Sequence, residues 1–475
     1  MHPMLAVALL CAADVPSSSV VSPDIVQTAI RLRDAALKDD TAYRYLEDLT
    51  TEVGPRLAGT RQEARARKWT VDALKKLGFP AKSIRVEPFK METWVRGAER
   101  VSIVAPFPQP LIATALGRSA STGPRGLRGT VAVFSTIDAL ERAPKSAVRG
   151  KIAYVGHAMN KTQDGSSYGY FGQARFRGPS LAAKKGAKAI MIRSIGTHTH
   201  RLPHTGVTGW AKDQSPIPAV AISPPDADQI ERIAARGQQI SVSMTVTPRI
   251  VGMTDSANIV VDLPGRDKAD EIVIVGGHLD SWDLGTGAVD DGAGVALTTA
   301  AVDLIRKMNL KPRRTIRLVH WGAEEVGLYG AKAYAKRHAA ELDKHVLGSE
   351  SDFGAKEIYR INSDLPERAT AVIDEMLRVL APIGVARGIR GSAFRGSSGP
   401  DLSPLHASGL PKLRLSQDGT DYFDLHHTPD DTFDKVDPKA LAQNVAVYAV
   451  FLWFAANADV DFREVSPSAS VKMSQ

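Results

Sequence analysis

His278 is followed within thirteen residues by Asp280, Asp283, Asp290 and Asp291, in the run GGHLDSWDLGTGAVDDGAG. An imidazole and carboxylates are ligand types that zinc accepts, and two such ions about 3.5 to 4 Å apart can drive hydrolysis. Asp pairs at a helix start also serve as N-caps, and His-x-Asp recurs by chance, so this run alone leaves both readings open. More ligand-type residues stand far along the chain: Glu324 and Glu325 in WGAEE, Glu350 and Asp352 in ESDFG, and His426 and His427 in YFDLHHTPDDT.

Such residues act together only if the fold gathers them. Residues 272–275 are an apolar run ended by Gly276 and Gly277, which reads as a buried strand delivering His278 to its C-terminal end. Residues 295–305 carry apolar side chains suited to a buried helix. Residues 315–320 form a second strand, ahead of Glu324. In open parallel sheets, ligands bind outside the carboxyl ends of strands. Upstream, residues 61–77 show helical spacing with Gly78 as the C-cap, and residues 79–89 alternate as a strand does. The expected class is α/β, a mixed and largely parallel sheet flanked by helices.

With 475 residues the chain exceeds the usual size of one domain. Its 43% hydrophobic and 24% charged content is that of an ordinary globular protein. The formal charge of +8 is spread without a basic cluster, which argues against nucleic-acid binding. Residues 4–13, MLAVALLCAA, match the core of a secretory signal, so residues 1–13 are expected to be removed and the protein to be secreted or periplasmic. Cys11 is the single cysteine, so the mature chain is expected to have no disulfide, no thiolate zinc ligand and no thiol chemistry. The apolar run at 445–456 is too short to span a bilayer, and no stable membrane insertion is expected.

At residues 121–129, STGPRGLRG, composition shifts to turn residues, and short strand-like runs follow at 131–134, 151–155, 189–192, 219–222 and 240–246. The expected organisation is a catalytic domain of residues 14–122 and 250–462, an inserted domain of residues 123–249, and a loose tail at 463–475. The insert's order of segments resembles a protease-associated domain, β-rich α/β and without catalytic residues. His198, His200 and His204 cluster within it, as solvated loop residues or as a metal or substrate contact.

The motifs TEVGPRLAGT, GHLDSWDLGTGAVDDGAG, AEE, ESDFG and YFDLHHTPDDT, in this order around the insert, resemble the co-catalytic zinc exopeptidases typified by bacterial leucyl aminopeptidase, nearest to the carboxypeptidase Q branch. The resemblance spans most of the chain. It implies two zinc ions bridged by Asp290, with His278 and Asp352 on one and Glu325 and His427 on the other. It further implies Glu324 as general base, Asp280 as the group that orients His278, and a cis peptide between Asp290 and Asp291. Tyr422, His426, Asp401 and His204 are expected near a small peptide substrate. Dipeptidase or carboxypeptidase action is favoured overall, whereas the HTPDDT form is nearer the aminopeptidase branch. A metal-free receptor and a single-zinc acyltransferase resembling glutaminyl cyclase are the rivals, and the insert is expected to wall the cleft or to support a homodimer.

Overall fold

The computed structural model describes residues 20–463, so the expected signal segment and nearly all of the expected tail lie outside the described residues. Its central sheet has five strands in the order Ile84–Val95, Arg249–Leu263, Arg314–Trp321, Lys268–His278 and His345–Glu350. The first two junctions are antiparallel and the last two parallel. The expectation of a largely parallel sheet is therefore corrected to an evenly mixed one. The reason lies in the insert: Ile84–Val95 leads into it, Arg249–Leu263 returns from it, and a chain that comes back along the same edge pairs antiparallel.

The strand read at 272–275 runs further, through both glycines to His278. Gly276 and Gly277 stay in the ladder opposite Val319 and His320. They are glycines because of closeness: a Cβ at Gly277 would stand 2.4 Å from Asp291 Oδ2 and 2.8 Å from Val295 N. Along the same strand Val273 and Val275 enter the main core, whereas Ile274 joins Val319, Trp321 and Tyr334 on the opposite face. Burial on both faces explains an unbroken apolar run in place of alternation.

The first face is covered by Pro23–Ala36, Ala293–Lys307 and Pro438–Asn457, the second by Tyr329–Arg337. Pro438–Asn457 has twenty residues, longer than the run at 445–456, and reaches the length of a membrane span; 94% of its apolar window is buried inside the protein. Arg61–Leu77 forms as expected, with Thr60 Oγ1 accepting from Glu63 N and Gly78 closing the helix at φ 101°. Three further strands, Ala386–Arg390, Ile358–Asp364 and Lys412–Gln417, form a small mixed sheet.

The insert is built on an eight-stranded sheet that holds the five runs read after residue 130. It also takes in Glu99–Ala105, Gln109–Leu111 and Ala113–Ala115. The boundary expected at 122/123 therefore falls inside this sheet, which begins at Glu99. The turn residues at 121–129 mark a connection within the sheet, where Thr122 bonds to Val246.

Candidate metal centre

Three parallel neighbours end on the same side of the central sheet. His278 closes its own strand, Glu324 and Glu325 follow Arg314–Trp321, and Asp352 follows His345–Glu350. Asp290 stands on the turn leading into Ala293–Lys307, and His427 follows the short helix Tyr422–Leu425. The five side chains converge. His278 Nε2 lies 3.2 Å from Asp290 Oδ1 and 3.6 Å from Asp352 Oδ1. His427 Nε2 lies 3.3 Å from Asp290 Oδ2 and 3.0 Å from Glu325 Oε2. Asp290 thus turns one oxygen to each of two ligand pairs. The peptide between Asp290 and Asp291 is cis, as the resemblance implied.

Hydrogen bonds on the far nitrogens set the imidazoles. His278 Nδ1 donates to the Asp280 carbonyl at 2.9 Å, which turns Nε2 toward Asp290 Oδ1 and the cavity. His427 Nδ1 faces the Thr205 carbonyl at 3.2 Å. Asp280 was expected to orient His278; its carboxylate Oδ1 stands 3.8 Å from His278 Nδ1. Its carbonyl makes the close contact instead, and the buried carboxylate accepts from Glu324 N at 3.0 Å and Glu325 N at 3.3 Å. Asp280 therefore fixes the glutamate pair as well as the histidine.

Three positioning residues have roles that the sequence did not reveal. Asp291 accepts from His278 N and Gly294 N. Asp431 accepts from Val289 N at 2.6 Å and Asp290 N at 3.2 Å, holding the backbone under the shared carboxylate. Arg56, fully buried, donates to the carbonyls of Leu279, Thr286 and Gly287 and so ties both ends of the loop between His278 and Asp290. Arg56 and Asp431 do lie within recognised motifs. Their partners, however, are distant backbone groups that no spacing reveals.

The electrostatics match a crowded anionic pocket. Burial pushes the Glu324 carboxyl well above its ordinary range, opposed by His278 and reinforced by Asp352, Glu325 and Asp280. Burial also acts to raise Asp290, but the neighbouring imidazoles of His278, His427 and His426 overcome it and hold Asp290 well below the usual carboxylate range. Burial acts to lower His427, yet Glu325 and Asp290 push it up to about 9. Asp290 Oδ2 and Glu325 Oε1 have no hydrogen-bond partner. Buried carboxylate oxygens without donors, beside the Nε2 atoms of two imidazoles, are a donor set that fits divalent zinc. His278, Asp290 and Asp352 offer ligand atoms within 4.8 Å of one another, as do Asp290, His426 and His427.

These groups open onto a cavity of about 510 Å³, lined also by Tyr168, Phe176, Phe353 and Phe423. Tyr422 and His426 line it, and His426 stacks on His427 with ring centroids 3.5 Å apart. Asp401 and His204 do not line it. Asp401 is buried behind Glu350, whose Oε2 accepts from Asp401 N at 2.9 Å, and burial pushes both carboxyls up, Glu350 to about 8. His204 is buried in the insert, bonding the His426 carbonyl at 2.6 Å and His198 Nε2 at 2.8 Å. Both are thus corrected from substrate contacts to groups that support cavity residues from behind.

A family model described as Peptidase family M28 matches residues 258–452. Carboxypeptidase Q of Bos taurus is 32% identical over 444 residues, covering 94% of this chain and 90% of that protein. Aminopeptidase YwaD of Bacillus subtilis (strain 168) is 25% identical over 447 residues, covering 90% and 87%. The crystal structure of a peptidase M28 precursor from Shewanella amazonensis matches with a TM-score of 0.90 at 46% identity, covering 94% of this chain and 99% of that one. An aminopeptidase from Aneurinibacillus sp. strain AM-1 shares the fold, with a TM-score of 0.62 at 22% identity over 90% of this chain and 96% of that one. From the fold, the gathered ligand set and these likenesses together, the chain belongs to peptidase family M28.

Proposed function

We propose that this peptidase is a secreted or periplasmic di-zinc exopeptidase that hydrolyses a terminal peptide bond of small peptides, in the manner named for carboxypeptidase Q. The observation that carries the reading is Asp290, whose two oxygens face two separate pairs, His278 with Asp352 and Glu325 with His427. His278, Asp352 and Asp290 would hold one ion, and Asp290, Glu325 and His427 the other. Zinc bound there supplies Lewis acidity, which polarises a carbonyl oxygen and acidifies a water near neutral pH. Glu324 lines the cavity beside these ligands, positioned to take the proton of the attacking water and return it to the leaving amine. Burial, by strengthening its hold on a proton, suits it to carry one between the two steps. The aromatic walls exclude bulk water and limit the space to a short peptide. The insert, read as a protease-associated domain, supplies one of those walls through Tyr168, Arg175 and Phe176. Secretion rests on the apolar run of residues 4–13.

Aminopeptidase action is the second reading, favoured by the likeness to aminopeptidase YwaD. A receptor without catalysis has against it the complete ligand set.

Glu324→Gln tests the chemistry. The variant is expected to retain two zinc ions per chain by elemental analysis and to lose about 10²- to 10⁴-fold in kcat. Near-normal turnover with zinc bound would remove Glu324 from its role, and one zinc per chain in the wild type would remove the two-ion arrangement.

A further inference from the structure

Two arginines line the cavity, and they differ in what they hold. Arg175 is engaged: it reaches the Thr205 carbonyl at 3.3 Å, His427 Nδ1 at 3.1 Å and the Tyr168 hydroxyl. Arg414, on the strand Lys412–Gln417, has no hydrogen bond and no ion pair among the described residues. Its guanidinium carbon lies over the Phe353 ring, 5.1 Å from the centroid.

The acceptors around it are already used. Asn362, opposite Arg414 across the small sheet, spends its amide on Ser416 Oγ and accepts from Ile389 N. Asp164, also on the cavity wall, accepts from Ser166 N at 3.1 Å and faces Arg360 at 3.4 Å.

A guanidinium carries five N–H donors in a fixed plane and stays charged. Held half-buried with none of them bonded to protein, it is unfavourable unless something else accepts. Its contact with the Phe353 ring leaves the N–H fork free, and a free guanidinium fork can grip a carboxylate through two parallel hydrogen bonds. Arg414 lines the same cavity as Asp352, Glu324 and Glu325, so the fork and the proposed metal site face one space. In a dipeptide the free carboxylate lies a single residue beyond the scissile carbonyl, within about 3.8 Å of chain rise.

We propose that Arg414 receives the free carboxylate of the leaving residue, making this a site for dipeptides and for peptides cleaved at their last bond. The inference rests on the peptidase reading above and decides between its two forms. A site that grips the carboxylate of the leaving residue acts as a dipeptidase or carboxypeptidase and discriminates against chains that continue past that residue.

The zinc-loaded enzyme is assayed on leucyl-leucine and on leucyl-leucinamide, which differ only at the terminal carboxylate. Wild type is expected to prefer the acid. Arg414→Gln is expected to raise KM for the acid at least 30-fold, with kcat within a few-fold and the amide within about threefold of wild type, and Arg414→Lys is expected to recover part of the loss. Calorimetry supplies a readout independent of turnover: free leucine should bind wild type more tightly than leucinamide does, and Arg414→Gln should abolish the difference. Equal losses on acid and amide, or an undiminished preference in Arg414→Gln, overturn the inference. If the wild type cleaves neither peptide, the peptidase reading fails by itself. The leucine comparison then still decides on Arg414, for it by losing its preference in the variant and against it by keeping it.

Discussion

Asp431 does not line the cavity, yet it fixes the backbone amides of Val289 and Asp290 from beneath. Replacing it with Asn keeps one acceptor and sets an amino group against one of those N–H donors, so the turn under the shared carboxylate must shift. Groups that orient metal ligands typically account for about 10- to 100-fold in metal affinity. Asp431→Asn is expected to weaken zinc binding by that factor in a competition with a chromogenic chelator, and an unchanged affinity would show that the turn holds itself. The proposed ligands could be singled out in the sequence because each falls within a motif of the resemblance and beside the end of a strand or helix. Asp431 and Arg56 were not, since their partners lie 142 and 223 residues away in the chain and are peptide groups, which carry no sequence signature. Asp280 was half legible: its place beside His278 was read, while its grip on the amides of Glu324 and Glu325 required the fold.

The helix Arg61–Leu77 shows the same division among elements. Its span and its glycine end follow from apolar spacing, and Thr60 with Glu63 gives the pattern of an N-terminal cap. The Glu63 side chain instead points inward, 1% exposed, to Ser256 Oγ at 3.0 Å and Arg67 Nε at 2.8 Å. Burial pushes its carboxyl up to about 7, in spite of Arg67. A folded-state value above the ordinary 4.5 means that the native chain binds this proton more tightly than the unfolded chain does. Glu63's contribution is therefore full below pH 4.5 and is lost as pH rises through about 7, at most about 3 kcal/mol. Glu63→Gln cannot ionise. Scanning calorimetry should show its Tm moving upward relative to wild type by several degrees between pH 5 and pH 8, whereas a gap independent of pH would mean that Glu63 is charged throughout. The sheet order was the less legible part: apolar runs reveal buried strands but not direction, and the antiparallel pairs follow from where the insert leaves and rejoins.

At the scale of the molecule, the insert does more than wall the cavity. Thr205 N donates to the His427 carbonyl at 3.0 Å, and His204 Nδ1 donates to that of His426 at 2.6 Å. Burial holds His204 well below its ordinary range, so a neutral ring makes that bond. His204→Ala would leave both the His426 carbonyl and His198 without their partner. Titration with zinc is expected to show one of the two binding steps weakened about tenfold, on the side of Glu325 and His427, while the step at His278 and Asp352 is retained. Equal weakening of both steps, or of neither, would mean that the insert does not act through this strap. The histidine cluster had been visible in the sequence, but its partner across the domain boundary had not. With His427 as a proposed zinc ligand, these bonds couple cation affinity to the docking of the insert. By reciprocity, the factor by which a docked insert strengthens the ion is the factor by which the bound ion favours the docked insert.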